Sequence, residues 1–293
     1  LTFLLGVIWG GPFIEILRRL RMGKNIQAEL SEEHQKKKGT PTTGGIMIIA
    51  STTVVLLALN AASILRGGPG SSILVPLVVM IGFAILGWID DMSGIRMSRG
   101  IVGQGISARA KLIGQLVLAG GAAVIISLYE GGFAGANQVS LPLIPLTLTI
   151  PPWLFIPLTV FLIMASANAV NFTDGLDGLA GIISASAFAA YGIIAYLQGQ
   201  VYVTQLCFVL MGACFAFLWF NAFPAQLIMG DTGSMALGST LGLVSVMTGQ
   251  WVLLPVIAIV PVAETISVIL QIWYFKSTGG QRLFRMAPIH LHY

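Results

Sequence analysis

The chain has 293 residues, 56% of them hydrophobic and only 9% charged, with a net charge of +4. A soluble globular domain carries about 25% charged residues, so this composition excludes one and reads as an all-α polytopic membrane protein, a single integral-membrane domain over 1–293. No basic stripe with interleaved aromatics is present, which excludes nucleic acid as a partner.

A spanning helix needs roughly 20 mostly apolar residues. The first predicted span is 1–17, with no basic segment and cleavage site before it, so no removable signal peptide is expected. A basic loop follows, carrying Arg18, Arg19, Arg21, Lys24 and Lys36-Lys37-Lys38, and it runs through Gly39-Thr40-Pro41-Thr42-Thr43-Gly44-Gly45 into a second span at 44–63. The third span, 73–90, closes on Asp90-Asp91, and Arg109 and Lys111 open the fourth at 110–129. The loop 130–151 holds Glu130, a glycine-rich stretch and the strand-like Gln138–Ile150, which predicts a short hairpin. Spans five to seven are 152–169, 179–198 and 202–221. Cys207 and Cys214 lie seven apart in the seventh, about 10 Å along a helix and too far for a disulfide. The last two spans are 234–250 and 252–275, where Pro255 and Pro261 either break one long helix or separate two.

Basic residues in short loops set orientation. With 18–43 on the cytoplasmic side, alternation over nine spans brings every Lys and Arg except Arg66 inside. It also brings Asp90, Asp91, Asp174, Asp177, Asp231, His290 and His292 to the same face and makes the 130–151 hairpin periplasmic. The expected site is therefore polar, cytoplasmic and at the membrane boundary of a bacterial inner membrane.

Each polar motif has a functional and a plain reading. Adjacent carboxylates such as Asp90-Asp91 repel and call for a metal or cation; the alternative is a solvated helix end, which the macrodipole disfavours for anions. Asn168-Ala-Val-Asn171-Phe-Thr-Asp174-Gly175-Leu-Asp177-Gly178 sets two carboxylates and two carboxamides against the membrane, where ionisable groups mark function by default. Gly230-Asp231-Thr232-Gly233-Ser234 suits either Mg²⁺ and phosphate binding or a helix cap. His290 and His292 follow Arg282 and Arg285 and suit phosphate, ligand or metal contacts. The lysine run and Thr42 loop fit an anionic substrate or an orientation signal. Arg109 and Lys111 read at least as well as membrane anchors as they do as pyrophosphate contacts, and Glu264, mid-span, as a functional acid or a structural hydrogen bond. Acids able to hold Mg²⁺, cations, and glycine turns above a membrane floor together point to phosphoryl transfer onto a lipid.

At these residues the chain resembles the polyprenyl-phosphate N-acetylhexosamine-1-phosphate transferases, and within them the phospho-N-acetylmuramoyl-pentapeptide transferase family. The resemblance rests on Gly39–Gly45, Asp90-Asp91, Gly105-Ile-Ser-Ala-Arg-Ala-Lys111, Asn168–Ala180, Asn221-Ala-Phe-Pro-Ala225, Met229–Gly238 and Arg285-Met-Ala-Pro-Ile-His290. It implies ten transmembrane helices, nine of them visible, with the tenth beyond Tyr293; both ends of the chain look trimmed. It further implies transfer of phospho-MurNAc-pentapeptide from UDP-MurNAc-pentapeptide to undecaprenyl phosphate, with Mg²⁺, giving lipid I and UMP, and a possible homodimer. Carried over by position, Asp90, Asp91 and Asp231 are catalytic, with Asp231 and Asp174 on the metal. Asp90 and Asp91 activate the lipid phosphate. Lys37, Thr42, Arg109, Asn168, Asn171, Asp174, Asp177, Asn221, His290 and His292 bind substrate, Asp177 being placed for uracil. Two routes stay open: attack by an Asp on the pyrophosphate, or direct attack by the lipid phosphate.

The chain departs from the family pattern at Gly94, where a lysine is common and Arg96 or Arg99 could replace its charge, at Ile228, where a phenylalanine is common, and at Leu291, the middle of a three-histidine run. Stacking on a base is worth about 1–3 kcal/mol, so Ile228 implies weaker nucleotide binding. One alternative is a sister transferase that uses UDP-GlcNAc. Another, of a different class, is a secondary transporter with an acidic ion path. Transporters bind at the bilayer midplane and often carry internal repeats, whereas these acids gather at one face.

Overall fold

The computed structural model describes residues 1–23, 39–98, 106–129, 133, 136–141, 144 and 146–292. Lys37 and Arg99 lie outside the described residues. The helices are α1 (Thr2–Arg19), α2 (Gly45–Leu65), α3 (Leu74–Ser98), α4 (Ala108–Leu128), α5 (Pro152–Thr173), α6 (Leu179–Leu197), α7 (Val201–Asn221), α8 (Gly230–Met247), the single turn α9 (Leu254–Ile257) and α10 (Ile259–Ser277). Among the described residues, seven helices, α2 to α7 and α10, are long and apolar enough to cross a membrane. Val54, Val78, Val117, Phe161, Trp219 and Trp273 are large, apolar and exposed on these helices, which fits contact with lipid. The protein is a mostly helical, multi-pass membrane protein.

α8 lies outside that set of seven because its composition answers to a different surrounding. Every residue of it except Asp231 is buried, mainly against α5 and α3. A helix enclosed by protein can carry serines, threonines and glycines that a lipid-facing one would not. Its glycines and those facing it bring main chains into direct contact, as small residues do between membrane helices. A Cβ on Gly87 of α3 would lie 2.1 Å from the Asp231 carbonyl oxygen, and one on Gly45 of α2 would lie 2.1 Å from Gly233 Cα.

Two expected boundaries shift. Asp90-Asp91 does not end its helix, because α3 runs on to Ser98; the acids sit inside a hydrogen-bonded stretch and not at the negative end of the dipole. The final apolar segment breaks at Ala258, between α9 and α10. Pro261 has no N–H to offer the Ile257 carbonyl, and its ring crowds that carbonyl. The hairpin is present: β1 (Gln138–Ser140) pairs antiparallel with β2 (Thr147–Thr149), Val139 opposite Leu148. It is tied beyond the C-terminal end of α8, where Ser140 N–H donates to the Gly249 carbonyl at 2.9 Å and Trp251 Nε1 to the Gln138 carbonyl at 3.2 Å. The hairpin and Asp231 therefore sit at opposite ends of the bundle.

Candidate active site

A helix start leaves its first N–H groups unpartnered, and at α8 two carboxylates from other helices meet that need. Asp91, fully buried in α3, accepts from Asp231 N–H at 3.2 Å, Thr232 N–H at 3.0 Å and the Thr232 hydroxyl at 2.7 Å. Asp174, which closes α5, accepts from Gly230 N–H at 3.1 Å. Negative charge at this end also complements the macrodipole. Gly230 has φ +73°, and a Cβ there would meet Asp91 Oδ2 at 2.5 Å and Thr42 Oγ1 at 2.8 Å, so only glycine closes this junction. Thr42 is buried beside it, on a loop whose backbone pairs with the approach to α8: Ile228 N–H donates to the Pro41 carbonyl at 2.8 Å, and Gly44 N–H to the Ile228 carbonyl at 2.9 Å. Replacing Asp91 with leucine strands three donors, the two on Thr232 buried. It is expected to cost about 3 kcal/mol, read as a lower unfolding temperature in detergent, with Asp91→Asn recovering part of the loss.

The opening of the site is formed by the other acids. Lys111 Nζ, one turn into α4, donates to Asp90 Oδ2 at 2.8 Å and to Asp231 Oδ2 at 2.9 Å. Asp90, Lys111 and Asp231 are all only partly buried, so this bridge faces the solvent end of the site. Burial works against charge on Asp231, but the Lys111 ammonium and the hydrogen bonds around the carboxyl outweigh it and hold Asp231 below the usual carboxylate range.

The remaining predicted residues form a second group alongside. Asn171 Nδ2 donates to Ser234 Oγ at 2.9 Å, joining α5 to α8. Asn168 Nδ2 donates to the Met164 carbonyl at 2.7 Å and to Gln115 Oε1 at 3.2 Å, joining α5 to α4. Asp177 accepts from Ala225 N–H at 3.0 Å. Asn221 accepts from Gly178 N–H at 2.9 Å and donates to the Leu227 carbonyl at 2.8 Å. These bonds lock the turn after α5 onto the loop before α8. His290 is brought to the same turn, its Nε2 lying 2.0 Å from where a Cβ on Gly175 would stand. His292 instead organises its own tail: Nδ1 accepts from Arg285 N–H at 3.0 Å, and the ring meets Phe284 edge to face. Arg109 is exposed.

This geometry sits in a chain with clear relatives. The profile described as glycosyl transferase family 4 matches residues 73–249. Over its full length the chain is 42% identical to the phospho-N-acetylmuramoyl-pentapeptide-transferase of Geobacillus thermodenitrificans, covering 86% of that protein. It is 41% identical to the proteins of the same name from Chloroflexus aurantiacus and Halalkalibacterium halodurans, covering 79% and 86% of them. The chain belongs to the phospho-N-acetylmuramoyl-pentapeptide-transferase family. The profile match takes in Asp90, Asp91, Lys111, Asp174, Asp177, Asn221 and Asp231; Thr42, Glu264 and His290 lie in the flanks that only the full-length relatives cover.

As a phospho-N-acetylmuramoyl-pentapeptide-transferase relative, the chain has donors suited to Mg²⁺. Among the described residues no group of three or more His, Cys, Asp or Glu converges to hold a metal ion. Mg²⁺, however, is commonly held by one or two carboxylates plus waters and substrate phosphates. Asp90 and Asp231 already share one cation, the Lys111 ammonium, and that is the observation by which the site fits a hard divalent ion.

Two residues carry more of this site than the sequence indicated. Lys111, for which the sequence favours a membrane anchor at least as much as a pyrophosphate contact, is the cation between the acids. Glu264, left open between function and structure, is buried and reaches His290.

Proposed function

We propose that this chain transfers phospho-MurNAc-pentapeptide from UDP-MurNAc-pentapeptide to undecaprenyl phosphate, giving lipid I and UMP for peptidoglycan synthesis. The observation that carries the reading is the Asp90–Lys111–Asp231 bridge at the start of α8: two carboxylates and one ammonium on three separate helices, open to solvent, in a chain of this family. The wider frame is nine spans of an expected ten in a bacterial inner membrane, the site at its cytoplasmic face, the hairpin periplasmic. A homodimer belongs to the same reading.

Phosphoryl transfer needs charge neutralised and groups placed in line. Asp231, with Asp174 beside it, would hold Mg²⁺, whose chemistry is to neutralise the pyrophosphate oxygens. Lys111 supplies a second positive charge at the same place. Asp90 would take the proton of the lipid phosphate. Asp91 holds the start of α8, so it acts on the reaction by fixing where Asp231 stands. The phosphorus that bears the sugar gains an oxygen of the lipid phosphate and loses its bond to UMP, which departs with the electron pair. Thr42, Asn168, Asn171, Asp177, Asn221, Arg109, His290 and His292, with Lys37, line or frame the nucleotide, sugar and peptide side.

The test is UMP release from UDP-MurNAc-pentapeptide and undecaprenyl phosphate, with and without Mg²⁺, and UDP-GlcNAc in parallel. Mg²⁺-dependent release from the muramoyl substrate alone is the expected outcome. Turnover of UDP-GlcNAc in its place would move the protein to the sister transferases. Silence with both, from folded protein, would overturn the assignment and make the chain a binding homologue.

A further inference from the structure

Glu264 is an acid buried in the interior of α10, a place where an unpaired carboxylate is costly. One of its oxygens, Oε2, lies 3.3 Å from both the main-chain N and the ring Nδ1 of His290. The main-chain contact is a directed hydrogen bond; the ring nitrogen is close but its N–H is not aligned, and this buried atom has no other hydrogen-bond partner among the described residues. The opposite ring nitrogen, Nε2, faces Gly175 in the turn between Asp174 and Asp177. His290 is thus clamped between a carboxylate on one side and the site turn on the other. Its side chain is only 6% exposed, so the ring has little room to rotate.

We infer that Glu264 is a positioning residue. It orients His290 and keeps the ring proton on Nδ1, so that Nε2 is presented to the substrate side of the turn as an acceptor. The Glu264 carboxylate, 3.3 Å from Nδ1, favours the proton on that nitrogen by its negative charge, and a proton held there leaves the other ring nitrogen an acceptor. The inference deepens the transferase reading and rests on it for the word substrate; the clamp itself does not.

Two measurements separate the two. The first needs no turnover. The chain has three histidines, and ¹⁵N-histidine labelling of the solubilised protein at about pH 8.5, above the ordinary histidine range, reports each ring's tautomer, with His290→Asn identifying the signal. The expected result is Nδ1–H with a bare Nε2 in the parent protein, and loss of that preference in Glu264→Leu. A bare Nδ1 in the parent, or an unchanged ring in Glu264→Leu, overturns the proposal whatever the protein catalyses. The second is a double-mutant cycle on UMP release. Glu264→Leu should lower kcat/KM by roughly 10–100-fold, the size of loss that follows removal of a group orienting a metal-bound imidazole, and Glu264→Gln should recover most of it. In a His290→Asn background Glu264→Leu should add little. Full additivity would reduce Glu264 to packing. If the parent releases no UMP, the transferase reading falls and the tautomer result still decides the clamp.

Discussion

Asp231→Ala is expected to abolish Mg²⁺-dependent UMP release while the protein stays folded in detergent. The fold survives because what holds the start of α8 is the Asp231 main-chain N–H, bonded to Asp91, and not its side chain. What is lost is a partly exposed carboxylate that accepts from Lys111. A metal's charge stabilisation at a phosphoryl oxygen is worth several kcal/mol, and each 1.36 kcal/mol is tenfold in rate, so the loss should reach about 10³-fold. The paired readouts are UMP release across a Mg²⁺ titration and the unfolding temperature. An Asp231→Ala protein that keeps parent turnover would remove Asp231 from the metal site; one that loses turnover only by unfolding would leave it a purely structural residue.

The second large effect is at Lys111. Methionine keeps most of the length and apolar bulk of the stem and removes the charge. Asp90 and Asp231 would then share one opening with no protein cation between them. A preorganised group of this kind typically contributes roughly 10²–10³-fold to kcat, and that is the loss expected for Lys111→Met. Lys111→Arg, keeping charge but not the compact ammonium geometry, should fall between. The decrease should appear in kcat more than in KM if Asp90 and Asp231 act on the reacting phosphates, since the ammonium bridges those two carboxylates. Lys111→Met with near-parent kcat would return Lys111 to the membrane-anchor role that its sequence position also allowed.

The outer helices were legible in the sequence because lipid-facing helices must be apolar throughout, and the segments that face lipid were found where expected. The gathering of acids at one end was legible too, since basic loops and alternation are enough to place it. What was not legible is which neighbour turns which way. Asp90 and Asp91 are one residue apart, about 100° around a helix. That rotation sends one to Lys111 and the other into the start of α8, with different work for each. Arg109 and Lys111 are two apart and roughly 200° around α4, so one is exposed while the other bridges the acids. Before α4 and α3 are packed, nothing distinguishes these basic residues. Glu264 and His290 meet only through tertiary structure, across the tail that folds back from α10. The end of the third span was misplaced because hydropathy stops at Asp90 while the hydrogen-bonded helix does not.

The polarity of α8 has a consequence for how this protein is assembled. Membrane insertion sorts helices one at a time by how well each partitions from water into lipid, and helix packing follows once they are in. A helix with this many hydroxyls and glycines, headed by Asp231, gains little from lipid; its favourable surroundings are α5, α3 and α2. Its place in the bundle depends on those neighbours, and close main-chain approaches hold it there: Gly45 and Gly87 on their side, and Gly238 and Gly242 of α8 against α5. Asp231 meets Asp90 and Lys111 only in that packing. The Asp90–Lys111–Asp231 bridge is then a property of the packed bundle and of no single helix.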